Sequence, residues 1–324
     1  MADTAPSFDA VRALVRSGAP ATISAEARAL SEAIRARHGA TVLATLFYGS
    51  CLRPAGPTEV GPGGADQRLY DFYAIVADLR AANGSWLAAA ANRLLPPNVY
   101  YIETQTGAGT ARAKYAIVAI EQFAHAVSAR HFHNYFWGRF AQPAAIVHAA
   151  SAAICERLER AFAQAAVSLL GLAAPLVGPR FDSAGLWQGA LAASYACELR
   201  PESAQRAEAI YHANAAHYDA LTAPALLAAG VRFKRDQQAF VLDGGQGPAG
   251  ARLAWLMRKI LGKTLNVLRL FKAAFTFSGG VEYIVWKIER HSGIRPELTP
   301  WQRRHPILAS PLLALRYWRK GAFR

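Results

Sequence analysis

A glycine-serine pair and an isolated aspartate are the residues of this chain best suited to phosphate chemistry. Gly49 and Ser50 follow an apolar stretch predicted to be a strand, 40–48, and Asp71 stands in a second apolar stretch, 69–77. Glycine lets the backbone approach a phosphate closely, serine offers a hydroxyl and an N–H at a predicted helix start, and aspartate can hold the divalent cation that accompanies a triphosphate. This combination predicts a nucleotidyltransferase site. The simpler interpretation is a strand, a turn and a strand with one edge aspartate.

Three basic residues are candidates for holding phosphate. Lys114 lies in an apolar predicted strand, where a lone ammonium is costly unless it meets an anion such as a triphosphate. A structural salt bridge from Lys114 to Asp71 or Glu103 is the alternative. Arg139 and Arg200 are candidates because a guanidinium group matches phosphate geometry bidentately, although either residue could instead form a helix-surface ion pair.

The elements that position these residues alternate at first and are mostly helical later. The predicted strands are 40–48, 69–77, 99–103, 113–120, 231–233 and 239–242. The predicted helices are 24–37 with Ser24 as its cap, 86–95, nearly all of 121–229 apart from a break near 175–182, and 251–275. A Gly/Pro-rich loop, 54–64, is predicted to cover a substrate, and Gly107-Ala108-Gly109 to form a hairpin turn.

The predicted fold class is therefore α+β. A mixed sheet of nucleotidyltransferase type with helices against it is followed by a mainly helical domain and by basic amphipathic C-terminal helices. The expected divisions are 1–140, 141–250 and 251–324, in that order. The length of 324 residues suits two domains.

Five short motifs occur in an order that resembles a known family, the mitochondrial-type phosphatidate cytidylyltransferases of the translocator assembly and maintenance type. They are Tyr48-Gly49-Ser50, Asp71-Phe72, Lys114-Tyr115, Trp137-Gly138-Arg139 with Pro143, and Ser194-Tyr195 with Glu198 and Arg200. The resemblance spans about residues 43–290. It implies a CDP-diacylglycerol synthase with a nucleotidyltransferase domain, a helical domain and a basic, membrane-binding C-terminus.

The resemblance also implies roles for further residues. Tyr115 joins Gly49, Ser50 and Lys114 as a nucleotide-binding residue. Tyr195, Glu198, Arg139 and Arg200 become contacts to phosphate or lipid. The chain departs from the family pattern at Cys51, at Ala116 and at Cys197-Glu198, where the family has glycine, glycine and Gly-Asp. These departures suggest a divergent member with altered substrate preference.

Magnesium is the expected cofactor, and one carboxylate is rarely enough to hold it. The superfamily usually places a second acid two residues after the first, but that position is Tyr73. Glu103, at the end of the next predicted strand, is the candidate for the missing ligand, with Glu198 next in line. The alternative for Glu103 is a solvent-exposed strand end.

Cysteine content and hydropathy narrow the protein class. Three widely spaced cysteines make neither a disulfide framework nor a metal cluster, which favours a reducing compartment. We expect no secretory or transit segment and no membrane-spanning helix, because the longest apolar stretch, 141–153, is interrupted by Gln142, Pro143 and His148. His125, His131 and His133 lie close together without a carboxylate in a zinc-site spacing, so we interpret them as helix-face residues.

The positive charge is concentrated at the C-terminal end. Of the 36 Lys and Arg residues 15 lie in 251–324, against 3 of the 22 Asp and Glu residues, so this segment carries most of the net charge of +14. The segment 251–275 reads as an amphipathic helix, and the tail 301–324 mixes basic residues with Trp301, Tyr317 and Trp318. This composition suits an anionic lipid surface. The helix could instead be a core helix with a solvated basic face. The tail could bind nucleic acid, although it has no recognisable motif for this.

Together these features predict an enzyme that transfers a cytidylyl group from CTP to phosphatidate. It would make CDP-diacylglycerol and pyrophosphate for phospholipid biosynthesis, and it would be cytoplasmic and peripheral on the inner face of a membrane. We expect no specific nucleic acid partner. Two alternatives remain open: a nucleotidyltransferase-like protein that has lost its chemistry and docks to membrane or RNA, and a nucleotidyltransferase acting on another phosphorylated lipid.

Overall fold

A five-stranded mixed sheet is the centre of the first half of the chain. The computed structural model describes residues 4–52, 68–199, 203–244, 248–276 and 298–304. The strands are β1 (Val42–Tyr48), β2 (Leu69–Val76), β3 (Asn98–Thr106), β4 (Gly109–Ala119) and β5 (Ala145–Ala149). Their order in the sheet is β3-β4-β2-β1-β5, and β2 pairs with β4 in parallel while the other neighbours are antiparallel. The α+β prediction is confirmed.

One face of the sheet is covered mainly by one amphipathic helix, with the short helix Leu79–Asn83 beside it. The main helix, α2 (Ala25–His38), begins after Ser24, whose hydroxyl accepts the N–H of Ala27 at 3.2 Å as predicted for a cap. Leu30 and Ile34 pack with the sheet residues that point to this side, Phe72 and Ile117 among them. Successive side chains of a strand point to opposite faces of the sheet. The strand residues that do not face α2 therefore face the helical part of the chain.

Most of the remaining helices pack on the opposite face or beyond the sheet. The helices other than α2 are α1 (Thr4–Ser17), α3 (Leu79–Asn83), α4 (Trp86–Leu94), α5 (Ile120–Ala126), α6 (Trp137–Phe140), α7 (Ala152–Val177), α8 (Ser183–Ala196), α9 (Ser203–Ala213), α10 (Ala215–Ala228) and α11 (Pro248–Thr276). A short helix, Pro300–Arg304, follows them. A second, small sheet consists of β6 (Arg180–Phe181), β7 (Phe233–Asp236) and β8 (Ala239–Leu242), in the order β6-β8-β7.

Helix α7 is the centre of the second core. Thirteen of its 26 residues are buried. It is also the one helix of the described residues that is long and apolar enough to cross a bilayer, with 61% of its most apolar stretch buried in the molecule.

The prediction of helix for nearly all of 121–229 is wrong at β5 and also at 127–136, so His131 and His133 are not helix-face residues. Strand β5, Ala145–Ala149, pairs antiparallel with β1, so that Phe47 lies opposite Ala145 and Ala44 opposite Ala149. This strand is too short for its periodicity to distinguish strand from helix, and its conformation is set by the open edge of β1. The hairpin turn at 107–109 between β3 and β4 is confirmed.

Helix α11 is oriented opposite to the expectation for a core helix with a solvated basic face. It docks through a stripe of buried residues that includes Ala251, Trp255, Arg258 and Gly262. Apart from Trp255, most of its large apolar side chains point outward instead. Those exposed are Leu253, Leu256, Met257, Ile260, Leu261, Val267, Leu268, Leu270 and Phe271. We call this set the α11 ridge.

Three inward-facing cations of α11, Arg258, Arg269 and Lys272, are held by aromatic rings and backbone carbonyls. Arg258 is buried, donates from Nε to the carbonyl oxygen of Phe132 at 3.1 Å, and lies 4.7–5.5 Å from the ring centroids of Phe132, Trp137 and Trp255. Such cation-π contacts stabilise a guanidinium that has lost its water. Burial lowers the pKa of Arg258.

Candidate active site

Four polar side chains form a row across the rim of the main sheet. Strand register places Tyr48 opposite Asp71, Asp71 opposite Lys114, and Lys114 opposite Tyr101. Because directly paired residues point to the same face, these four side chains lie side by side on the face that the helical part covers further along. We call them the rim row. The structure therefore brings together Asp71 and Lys114, which lie 43 positions apart in the chain.

The next row of the same face is apolar and closes the rim row on one side. It consists of Leu46, Tyr73, Ala116 and Val99 in register. Tyr73 is 1% exposed and packs 5.1 Å from the ring centroid of Phe140 and 5.2 Å from that of Tyr48. Burial, with Tyr135 and Tyr48 nearby, raises the pKa of Tyr73 well above its usual value. A second acid at this position would lie in the core, so the tyrosine fits its surroundings.

The turn after β1 passes directly over the Asp71 carboxylate. Gly49 has φ +88°, and a Cβ at this position would lie 3.2 Å from Oδ2 of Asp71. Both the dihedral angle and the close approach require glycine here. Ser50 is exposed and begins a single 3₁₀ turn, Ser50–Leu52, after which residues 53–67, including the predicted covering loop, lie outside the described residues.

The second proposed metal ligand is engaged by neighbours on its own hairpin. Oε1 of Glu103 accepts hydrogen bonds from the Tyr101 hydroxyl at 2.7 Å and from Nε of Arg112 at 3.2 Å, in an ion pair. Glu103 lies two strands from Asp71, a lateral separation of about 10 Å. The structure does not bring these two carboxylates onto one ion, and among the described residues there is no group of three or more His, Cys, Asp or Glu side chains placed to hold a metal. The Glu103 role stays a prediction.

A single carboxylate still fits magnesium bound together with a nucleotide. Mg²⁺ is commonly held by one or two carboxylates plus substrate phosphates and water. Asp71 supplies one carboxylate at a point where Gly49 leaves room for a close approach. Asp71 is the residue that would hold such an ion.

Tyr115 does not lie with the nucleotide-binding candidates. It is 1% exposed on the opposite face, where its hydroxyl is 2.8 Å from Nε2 of His38 and its ring stacks on Tyr100. Nδ1 of His38 faces the carbonyl oxygen of Ala82 at 2.8 Å, so Nδ1 donates there and Nε2 accepts from Tyr115. Tyr115 follows Lys114 directly, and the alternation of a strand sends the two side chains to different faces. The predicted contact of Tyr115 with a nucleotide on the rim row is therefore corrected.

The motifs of the helical part pack against one another next to the rim row. Gly138 lies so close to Ser194 that any Cβ would overlap its hydroxyl. The amide of Gln142 donates to the hydroxyl of buried Tyr195 at 3.0 Å. Arg139 reaches Glu198, the second residue after α8. The structure thus brings Gly138 and Arg139 of the fourth motif against Ser194 and Glu198 of the fifth, while Arg200 lies outside the described residues.

Arg139 and Glu198 form a buried, bidentate ion pair. Nη1 to Oε1 is 2.9 Å and Nη2 to Oε2 is 3.0 Å, with each side chain 10% exposed. Nη1 also donates to the carbonyl oxygen of Tyr135 at 2.6 Å, and the guanidinium lies 3.7 Å from the centroid of the Tyr135 ring. Burial lowers the pKa of Arg139, but the Glu198 carboxylate together with Tyr135, Tyr73 and Tyr48 more than offsets this effect, so the pKa is raised well above its usual value. Arg139 is neither a surface ion pair nor an uncommitted phosphate clamp.

A cavity of about 260 Å³ adjoins this ion pair and the sheet. Its lining comprises Pro97, Val99, Tyr135, Arg139, Glu198, Leu199, Asn266, Arg269, Leu270, Lys272 and Ala273. Val99 belongs to the apolar row of the sheet, two residues along β3 from Tyr101 in the rim row. At strand geometry that step is about 7 Å. The cavity therefore begins one step along β3 from the rim row, and we call the rim row and this adjoining cavity together the cleft.

Sequence reasoning missed the contribution of α11 to this cavity. Arg269 donates from Nε to the carbonyl oxygen of Pro96 at 2.9 Å, and its guanidinium lies 4.1 Å from the centroid of the Tyr135 ring. Nζ of Lys272 donates to the carbonyl oxygens of Leu95 at 2.5 Å and Pro97 at 2.8 Å. Burial lowers the pKa of both groups, that of Lys272 to about 7 with the nearby Arg269 as a further cause. The inward spacing of Arg258, Arg269 and Lys272 on a helix was the available signal.

No protein-family profile matches this chain, and no curated protein matches its sequence. The geometry of the cleft and the motif order in the sequence therefore carry the functional argument.

Proposed function

We propose that the protein transfers a cytidylyl group from CTP to phosphatidate at a membrane surface. The observation that carries the proposal is the adjacency of the rim row to a cation-lined cavity. The rim row offers Asp71, Lys114 and the Gly49 turn for a triphosphate. The cavity offers Arg269 and Lys272 near the site for an acceptor that bears phosphate. The motif order described above supports the choice of nucleotide and lipid.

The roles follow from the positions of the side chains. Asp71 would hold the magnesium ion of the nucleotide, and that ion supplies positive charge against the triphosphate. Lys114, the register neighbour of Asp71, adds a second positive charge on the same face. Gly49 leaves its backbone open to the phosphates. In the overall reaction an oxygen of phosphatidate bonds to the α-phosphorus of CTP, the bond from that phosphorus to the bridging oxygen breaks, and pyrophosphate leaves.

Arg139 and Glu198 act in this proposal as positioning residues. Their ion pair and the Tyr135 ring fix one wall of the cavity, against which Arg269 also stacks. This arrangement pre-organises the cation of α11 at low cost in side-chain freedom, as expected of groups that orient a substrate.

The decisive experiment is a transfer assay on purified protein. Radiolabelled CTP, Mg²⁺ and vesicles containing phosphatidate should give labelled CDP-diacylglycerol and pyrophosphate, whereas ATP, GTP and UTP in parallel should give little product. Product from another nucleotide, or from another phosphorylated lipid only, would change the substrate assignment. Absence of transfer from all four nucleotides, by a protein that binds vesicles normally, would favour the docking-protein alternative.

A further inference from the structure

Helix α4 presents large apolar side chains to solvent. Trp86, Leu87 and Leu94 are 66%, 62% and 85% exposed. Asn92, on the other side of the helix, is fully buried and donates its amide to the carbonyl oxygen of Ile117 at 3.0 Å. A surface helix usually buries its apolar side chains and exposes its polar ones. Helix α4 has the reverse pattern, since an asparagine is buried while tryptophan and leucine face outward. Clustered exposed apolar side chains of this kind mark an interaction site.

The exposed face of α4 adjoins the α11 ridge. Lys272 of α11 binds the carbonyl oxygen of Leu95, the residue that follows Leu94. Leu270 and Phe271, which precede Lys272, are 65% and 67% exposed. Through this contact the two apolar surfaces, one on the sheet side of the cleft and one on the helical side, meet at the end of α11.

The charged residues on α4 and α11 themselves have one sign. No Asp or Glu occurs in 79–102 or in 248–276. Arg93 on α4 and Arg252, Lys259 and Lys263 on α11 are exposed. A second copy of the chain, docked symmetrically, would place these positive charges against themselves. An anionic lipid bilayer complements both the charge and the apolar side chains.

We propose that α4 and the α11 ridge together form a lipid-contacting surface that seats the protein on an anionic bilayer. Trp86, Leu87 and Leu94 enter the interfacial region beside the α11 ridge. Exposed Leu199 and Leu270 line the cavity, so the same surface borders the cleft. The inference rests on the proposed function for the presence of a lipid substrate, and its test measures binding rather than turnover.

The test compares binding of three full-length proteins to vesicles by flotation. The vesicles contain phosphatidylcholine alone or with phosphatidate. We expect the triple variant Trp86→Gln/Leu87→Gln/Leu94→Gln to bind phosphatidate vesicles at least tenfold more weakly than wild type, because burial of apolar side chains is lost. The control, Ala25→Gln/Ala36→Gln on exposed positions of α2, should bind like wild type. Equal binding by the triple variant and wild type, or no binding by wild type, overturns the proposal.

A second variant guards against a general loss of folding. Trp86→Phe keeps an aromatic side chain and should bind normally, but brominated lipids should quench a smaller share of its tryptophan emission than in wild type. Unchanged quenching overturns the insertion of Trp86. A shift from dimer to monomer in the triple variant, without a change in vesicle binding, assigns the surface to a second copy instead. Normal vesicle binding without cytidylyl transfer would reject the proposed function and leave this inference standing.

Discussion

A substitution of Asp71 should affect the proposed catalytic activity without affecting the stability of the fold. Asp71→Asn keeps the size of the side chain at the edge of the core but removes the negative charge that would hold a cation. We expect turnover to fall more than tenfold, because the loss of a metal ligand costs several kcal/mol of transition-state stabilisation, about 1.4 kcal/mol per tenfold in rate. The thermal midpoint should change little. If the variant keeps more than about a tenth of wild-type activity, Asp71 is not the principal metal ligand.

Measurements of stability can decide whether Arg139 forms a structural ion pair with Glu198 or binds phosphate directly. Arg139→Met leaves a carboxylate buried without its partner and should lower the free energy of unfolding by about 3–5 kcal/mol. The double variant Arg139→Met/Glu198→Leu removes both charges and should be distinctly more stable than the single variant. Urea denaturation measures both. If Arg139→Met unfolds like wild type while acceptor KM rises, the arginine binds phosphate directly and the pair is not structural.

The limits of sequence reasoning at this scale are illustrated by Lys114 and Tyr115. The phosphate-binding role of Lys114 followed from a charge in an apolar strand, and its proximity to Asp71 agrees with that idea. The proximity itself was not predictable, because it depends on which strands pair. Tyr115 was assigned to the same site through a motif, although adjacent strand residues cannot share a face. Alternation was the signal that would have separated them.

Among the elements, α11 is docked through contacts that leave little space. A Cβ on Gly262 would lie 2.5 Å from the carbonyl oxygen of Cys197, whereas one on Gly250 of the same helix meets nothing within 4 Å. Gly262→Ala should therefore displace α11 from the residues around Cys197 and lower the free energy of unfolding by about 1–3 kcal/mol.

Gly250→Ala is the matched control. It should be neutral or should stabilise by up to about 1 kcal/mol, since alanine favours helix more than glycine does. Chemical denaturation compares the two variants. Equal stabilities would show that α11 is not packed at Gly262 as described.

The elements also separate what the sequence predicts from what it does not. The capped helix α2, the hairpin of β3 and β4 and the extent of α11 followed from local signals: a serine cap, a glycine turn and a helical period. Strand β5 and the orientation of α11 did not, because each depends on a distant partner. Residues 145–149 form a strand because they pair with the edge of β1. Arg269 and Lys272 of α11 point inward because they bind the backbone carbonyls of 95–97.

At the scale of the whole molecule, histidines that are partly or fully buried predict a loss of stability in acid. Burial lowers the pKa of five of them, that of His133 to about 3; the others are His38, His131, His148 and His217. Each of these histidines binds a proton more readily in the unfolded state than in the folded state. Their contribution to the free energy of unfolding is therefore highest above about pH 6.5 and falls as the pH drops toward 3.

His133 tests this dependence because its Nδ1 accepts the backbone N–H of Tyr135 at 3.3 Å, a bond that protonation at Nδ1 would remove. His133→Asn keeps an acceptor near that position. The variant should lose less stability than wild type between pH 6.5 and pH 4, as measured by thermal unfolding in buffers of constant ionic strength. An identical acid profile for the two proteins would contradict the assignment.

The parallel pairing of β2 with β4 has a consequence for folding kinetics. A parallel pair needs a crossover, and here α3, α4 and β3 form it between Asp71 and Lys114. Contacts between residues so far apart in the chain form more slowly than local ones, because closing the intervening segment costs entropy. During synthesis, a chain that ends before β4 holds the aspartate without its lysine neighbour. The rim row therefore cannot be complete until β4 has been synthesised.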